Sequence, residues 1–166
     1  SCSVYNYGGA LYLKSSAQAD LESSLFEDCS NIGYSTGYSR GGAAYLEDYA
    51  VLTATSTTFR SNSATYGGGL YAISTSTVSL VGCTFTSNTA LYNGGGAVVN
   101  SGSSISARGT TFKACSASSK GGGLQVTSSS TVVMEGSSFE SCRVSDDYGG
   151  GLLVESSSIG SVHWSN

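Results

Sequence analysis

A glycine pair returns along the whole chain. Its first members are Gly8, Gly41, Gly67, Gly94, Gly121 and Gly149, at intervals of 33, 26, 27, 27 and 28 residues. A period of this length marks a stacked repeat, in which each unit buries its apolar residues only against its neighbours. Counted from each glycine as position zero, the chain's five phenylalanines, Phe26, Phe59, Phe85, Phe112 and Phe139, all stand at position 18. Position 21 holds Cys29, Asn62, Asn88, Cys115 and Cys142, with Cys2 in the corresponding place six residues ahead of Gly8.

Between these markers the apolar residues alternate. Position 3 reads Leu11, Ala44, Leu70, Ala97, Leu124 and Leu152, and position 5 reads Leu13, Leu46, Ala72, Val99, Val126 and Val154. A second alternation places Leu52, Val78, Ile105 and Val132 at position 11 and Ala54, Leu80, Ala107 and Met134 at position 13. A period of two means strands with one face inward, and a third strand is centred on the phenylalanine. Such short strands, joined by Gly and Ser corners, pair only with their own copies one turn later. The expected fold is all-β: a single parallel β-helix domain over residues 1–166, with about six coils and three parallel sheets.

The motifs Gly-Gly-Ala-Leu at 8–11 and Phe-x-x-Asn at 59–62 and 85–88 resemble the paired GGA[ILV] and FxxN motifs of the chlamydial polymorphic membrane protein repeats. The resemblance covers the whole chain. It implies a right-handed β-helix of the kind found in surface-exposed passenger domains, with adhesion as its role. The sequence departs from that pattern in using Cys for Asn in several copies.

The chain has 23 glycines, no proline and many Ser and Thr runs, a composition close to that of a disordered linker. The regular Phe, Leu and Val argue against disorder, because each segment has something to bury. A net charge of −4 leaves no basic patch for nucleic acid. No apolar run approaches the roughly 20 residues of a membrane span.

Stacked coils lie about 4.8 Å apart, so equivalent residues become vertical neighbours. The phenylalanines then form an apolar column, and Asn62 with Asn88 a short amide ladder serving corner backbone groups. Charges obey the same register: Lys14 over Glu47, Glu27 over Arg60, Arg108 over Glu135 and Lys113 over Glu140. Cys2 lies one coil from Cys29, and Cys115 one coil from Cys142, within the reach of disulfides. Both bridges are expected, with a ladder of reduced thiols as the alternative; Cys83, between Ser and Thr neighbours, is expected to stay free.

For function, the acidic pairs Glu27-Asp28, Glu47-Asp48 and Asp146-Asp147 fall on three different parts of the coil and do not converge. His163, the sole histidine, stands beside Trp164 without partners for a triad or a zinc site. Neither a catalytic site, a metal nor a cofactor is therefore expected. Tyr12, Tyr45 and Tyr71 share position 4, between inward positions, and form a candidate exposed strip for a glycan or a surface protein, or a ladder that merely stiffens the sheet. The outward side of the second strand lacks the regular Thr array that ice binding requires. N-glycosylation has no sequon, whereas Ser/Thr corners offer O-linked sites. The eight residues from Gly33 to Arg40 lengthen the first turn alone.

The chain opens part-way through a turn at Ser1 and closes at Asn166 before a sixth phenylalanine, so flanking repeats or head-to-tail stacking on copies of itself is expected. The resulting expectation is an extracellular or cell-surface structural module, adhesive or fibre-forming. A carbohydrate-binding or polysaccharide-degrading β-helix is the alternative.

Overall fold

The computed structural model describes residues 2–4, 6–31 and 38–163. Among these there is no helix; the chain is a solenoid of parallel strands in which every strand pairs with its copy one coil away. Following a coil from its glycine pair, sheet I comprises Leu11–Leu13, Ala44–Leu46, Leu70–Ala72, Ala97–Val99, Leu124–Val126 and Leu152–Val154. Sheet II runs from Gln18–Glu22 through Val51–Thr55, Thr77–Val81, Ser104–Arg108 and Thr131–Glu135 to Ile159–His163. Sheet III carries the phenylalanines, in Leu25–Glu27, Thr58–Arg60, Thr84–Thr86, Thr111–Lys113 and Ser138–Glu140.

The expectation of three sheets is corrected to four. Sheet IV contains Cys2–Val4, Cys29–Asn31, Ser63–Tyr66, Thr89–Asn93, Ser116–Ala117 and Arg143–Val144. It begins immediately after the phenylalanine strand because a single residue turns the corner: Asp28, Ser61, Ser87, Ala114 and Ser141 all have φ between 51° and 55°. A left-handed residue without glycine costs roughly 1–2 kcal/mol and leaves no mark in the sequence. The other corners use the same device. Two successive left-handed residues, such as Asp48-Tyr49 and Ser128-Ser129, join sheets I and II, and one, such as Ser56 or Gly82, joins sheets II and III.

The glycine pair serves the return from sheet IV to sheet I. Gly67 has φ +65°, and a Cβ on the following Gly68 would come within 2.4 Å of the carbonyl oxygens of both Gly95 and Thr89. The coils approach too closely there for any side chain.

Inside, the phenylalanine column is continuous. Ring centroids are 5.1, 4.5, 4.7 and 5.1 Å apart from Phe26 to Phe139, with interplanar angles of 10° to 21°. The amide ladder forms as expected: Asn62 Oδ1 accepts from the Cys29 N–H (2.9 Å), Asn88 Oδ1 accepts from the Asn62 N–H and Nδ2 (both 3.0 Å), and Asn88 Nδ2 donates to the Phe59 carbonyl (2.9 Å). Corner hydroxyls are used in the same way. Ser103 Oγ accepts from the Ser76 N–H at 3.0 Å, and Ser137 Oγ accepts from the Thr110 N–H at 3.1 Å. These hydroxyls are buried between coils and are no sites for O-glycans; the exposed corner serines, Ser101 and Ser128 among them, remain open to modification.

Candidate binding face on sheet I

Three columns of side chains cover the outer face of sheet I. The middle column, position 4, reads Tyr12, Tyr45, Tyr71, Val98, Gln125 and Leu153 in unbroken register. One flank is the residue before each glycine pair: Tyr7, Arg40, Tyr66, Asn93, Lys120 and Tyr148. Position 6 forms the other flank, with Lys14, Glu47, Ile73, Asn100, Thr127 and Glu155, held in step by backbone bonds such as Asn100 N–H to Ala72 O (2.9 Å).

The lower half of this face is a packed cluster, which corrects the expected exposed strip. Tyr12 is 44% exposed, whereas Tyr45 is 1% and Tyr71 is 4% exposed. The alternation rule places all three on the outer side of the sheet, but large neighbours on the flanking column cover two of them. The Tyr7 ring stacks on Tyr45 at 4.7 Å, and the Arg40 guanidinium lies 5.5 Å from the centre of Tyr71. Tyr45, Tyr71 and Val98, with Tyr66 and Ile73 against them, make a second apolar cluster outside the main core. Glu47 ties its edge, accepting from the Tyr12 hydroxyl, from the Tyr45 hydroxyl at 2.9 Å, and pairing with Lys14 at 2.9 Å. Burial alone would raise the Glu47 pKa, but the donors from Tyr12, Lys14 and Tyr45 outweigh it and hold the carboxyl below its usual range. Burial, followed by the bond to Glu47, pushes the Tyr45 phenol up.

The upper half is recessed, with Val98 and Gln125 only 2% and 4% exposed between their flanking columns. The middle column shrinks from Tyr71 to Val98, and the flank shrinks from Tyr66 to Asn93, leaving a cleft of about 290 Å³. Tyr66 and Tyr71 form its lower wall, and Asn93, Asn100 and Thr127 its sides. Across the top, Lys120 Nζ pairs with Glu155 Oε2 at 2.9 Å, while Gln125 Nε2 donates to Glu155 Oε1 at 2.8 Å. Here too burial would raise the Glu155 pKa, and the donors from Lys120 and Gln125 more than offset it. Asn100 Nδ2 donates to the Tyr71 hydroxyl at 3.0 Å, orienting the lower wall.

A family model described as a right handed beta helix region matches residues 1–166. The chain belongs to the right-handed β-helix family. No curated protein and no solved structure matches it.

Elsewhere on this right-handed β-helix the expected site residues are placed as follows. Cys2 and Cys29 are disulfide-bonded across adjacent coils, with Cα atoms 4.4 Å apart. The expected bridge between Cys115 and Cys142 is corrected: both are thiols, because each sulfur is turned inward onto a carbonyl. Cys115 Sγ donates to Phe85 O at 3.4 Å and Cys142 Sγ to Phe112 O at 3.3 Å. The neighbouring Cys115 lowers the Cys142 pKa against the opposing effect of burial, while the neighbouring Cys142 and burial raise that of Cys115. Cys83 is a buried free thiol whose pKa burial raises.

All four charge pairs read from the register are formed, Glu27 with Arg60 among them. The acidic pairs stay apart, and no group of three metal-ligating side chains occurs among the described residues. His163 Nε2 lies 3.1 Å from Ser161 Oγ on an exposed strand; Trp164 lies outside the described residues. Of the long first turn, residues 32–37, which include Gly33 and Tyr34, also lie outside them, and Tyr38 is exposed. No helix among the described residues is long and apolar enough to cross a membrane.

The cleft residues Asn93, Asn100, Lys120, Gln125, Thr127 and Glu155 were not singled out in the sequence. Their signal was the loss of Tyr from position 4 after Tyr71. It becomes legible only when position 4 is read together with both flanking columns.

Proposed function

We propose that this β-helix is a rigid, non-catalytic adhesive module of the cell surface or extracellular space, presenting the outer face of sheet I to its partner. The observation that carries the reading is the use made of its polar groups. Buried Asn, Ser and Thr at the corners and the charged pairs on the surface tie one coil to the next, while sheet I carries a polar-walled cleft crossed by an ion pair; a second recess, lined by Asp20, Leu21, Glu22, Thr53 and Thr55 on sheet II, has no such pair across it among the described residues. Glu47, the most enclosed of the carboxylates in the acidic pairs, is held ionised by three donors, which suits a structural anchor better than a general acid. The Cys2–Cys29 bridge fits an oxidising compartment. The resemblance to surface-displayed GGA[ILV]/FxxN repeats supports the same assignment.

The second reading, carbohydrate recognition, is favoured by the cleft, whose aromatic wall and amide sides suit a sugar. Beads coated with the protein are expected to adhere to cell surfaces or immobilised glycans, and incubation with polygalacturonate or neutral polysaccharides is expected to yield no new chain ends. Release of reducing ends or unsaturated products would establish an enzyme instead. Recovery of the native protein in the reducing cytosol would overturn the location.

A further inference from the structure

We propose that the cleft between Tyr71 and the Lys120–Glu155 pair binds the end of a neutral glycan, one or two sugar residues long; this rests on reading the outer face of sheet I as an adhesive surface. Shape gives the length. The Tyr66 and Tyr71 rings close the cleft one coil below Asn93 and Val98. The ion pair crosses from one flank to the other over Gln125, so the rows that carry the two walls are two coil steps, about 10 Å, apart and the opening between them is narrower. A polymer lying along the solenoid axis would run into both walls. The volume of about 290 Å³ sits at the small end of the roughly 300–1,000 Å³ typical of ligand sites.

Chemistry gives the class. The Asn93 amide and the Thr127 hydroxyl line the cleft without a side-chain hydrogen bond to another described residue. Gln125, only 4% exposed, spends its Nε2 on Glu155, so its Oε1 remains to accept from a ligand. These groups offer both donors and acceptors, matching the mixed character of sugar hydroxyls. The half-buried Tyr66 ring, backed by the buried Tyr71 and Val98, gives the cleft an apolar edge for the C–H face of a pyranose. Lys120 and Glu155 neutralise each other, so an acidic sugar would have to displace Glu155 from Lys120 and leave a carboxylate unpaired. A peptide strand finds no edge here, because the backbone of sheet I is engaged in its own ladder across the cleft.

Two substitutions borrow residues that the same columns already accommodate. Asn93→Tyr fills the cleft with the residue standing at Tyr7, Tyr66 and Tyr148, and Gln125→Leu replaces the amide with the residue at Leu153. Tyr49→Ala, on an exposed corner, serves as the control. Binding of cellobiose, maltose, lactose, mannobiose and digalacturonate is measured by NMR titration of the full chain, with unfolding midpoints confirming that each variant folds. At least one neutral disaccharide is expected to bind, digalacturonate to bind more weakly, and both cleft variants to lose about ten-fold or more in affinity, as for loss of a buried hydrogen bond or of the space itself. Full binding by folded Asn93→Tyr would overturn the site while leaving the adhesive reading intact. Preference for digalacturonate would overturn the neutral class. Absence of binding to every sugar would overturn the inference, and the bead assay on protein-coated surfaces then decides the adhesive reading separately.

Discussion

The phenylalanine column of sheet III and the position-4 column of sheet I are both built by stacking one residue per coil, yet only the first is uniform. Inside, five Phe rings lie 4.5–5.1 Å apart, and those of the central coils are fully buried, bounded by backbone and neighbouring columns on every side. Outside, Tyr gives way to Val98 and Gln125, and the structure answers with a cleft. An enclosed column cannot change size without a void or a clash. An outer column changes freely, and a step in its size is the simplest way for a solenoid to make a concave site without interrupting its ladder.

Truncation should grade this difference. Phe85→Ala opens a cavity in the middle of the inner stack and is expected to cost about 3–5 kcal/mol. Tyr71→Ala removes a ring covered by Arg40 and Tyr45 and should cost about 2 kcal/mol, while Tyr12→Ala, at the exposed end, should cost less than about 1 kcal/mol. Denaturant midpoints measured side by side check the order. Equal losses for Phe85→Ala and Tyr12→Ala would mean that the two faces have been exchanged.

The amide ladder tests the inner side without touching apolar volume. Asn62→Ala leaves the Cys29 N–H and the Phe26 carbonyl without their partner and is expected to cost about 2–3 kcal/mol. Asn62→Cys introduces the residue used at this position by Cys115 and Cys142, whose thiols donate to the carbonyl below, and should cost clearly less. A reversed order in thermal unfolding would show that the column selects for size alone.

These ladders were legible in the sequence because a fixed period places identical residues above one another: the Phe column, the Asn pair, the four charge pairs and the Cys2–Cys29 bridge all follow from register. The fourth sheet was not, because the corner between Phe85 and Ala90 turns at Ser87 with no glycine to announce it. Its inward alternation, Asn88 then Ala90, was too short to stand out. The burial of Tyr45 and Tyr71 escaped for a different reason. Alternation assigns a side of the sheet, whereas exposure depends on neighbours such as Arg40, which belong to a different column. The Lys120–Glu155 pair was hidden likewise, since it crosses between columns instead of climbing one.

The position-21 column carries the inner-versus-outer comparison to its two ends, one bridged and one reduced. Peptide mapping is expected to find Cys2 joined to Cys29, and Cys83, Cys115 and Cys142 free. Among the free thiols Cys142 should alkylate first, since the neighbouring Cys115 favours its thiolate and it is the least buried of the three. Finding Cys115 joined to Cys142 would show that the second pair closes as the first does. Faster labelling of Cys115 would show that the pair favours the opposite thiolate.

The smallest expected effect is that of pH on the outer face. Glu47 and Glu155 have folded pKa values below their ordinary range, each because its donors outweigh the opposing effect of burial. A carboxyl depressed on folding adds stability that is complete above its unfolded pKa, about 4.3, and is lost as pH falls through the lower folded value. The unfolding midpoint should therefore stay level from neutral pH to about pH 5 and decline below about pH 4. Glu155→Gln keeps the shape and part of the hydrogen bonding of the cleft's upper wall but removes its titration, so the decline should become shallower. Phe85→Ala, which lowers stability at every pH, should leave the slope unchanged. A wild-type midpoint that stays flat down to pH 2 would show that these carboxylates tie the outer face no more strongly when ionised than when protonated.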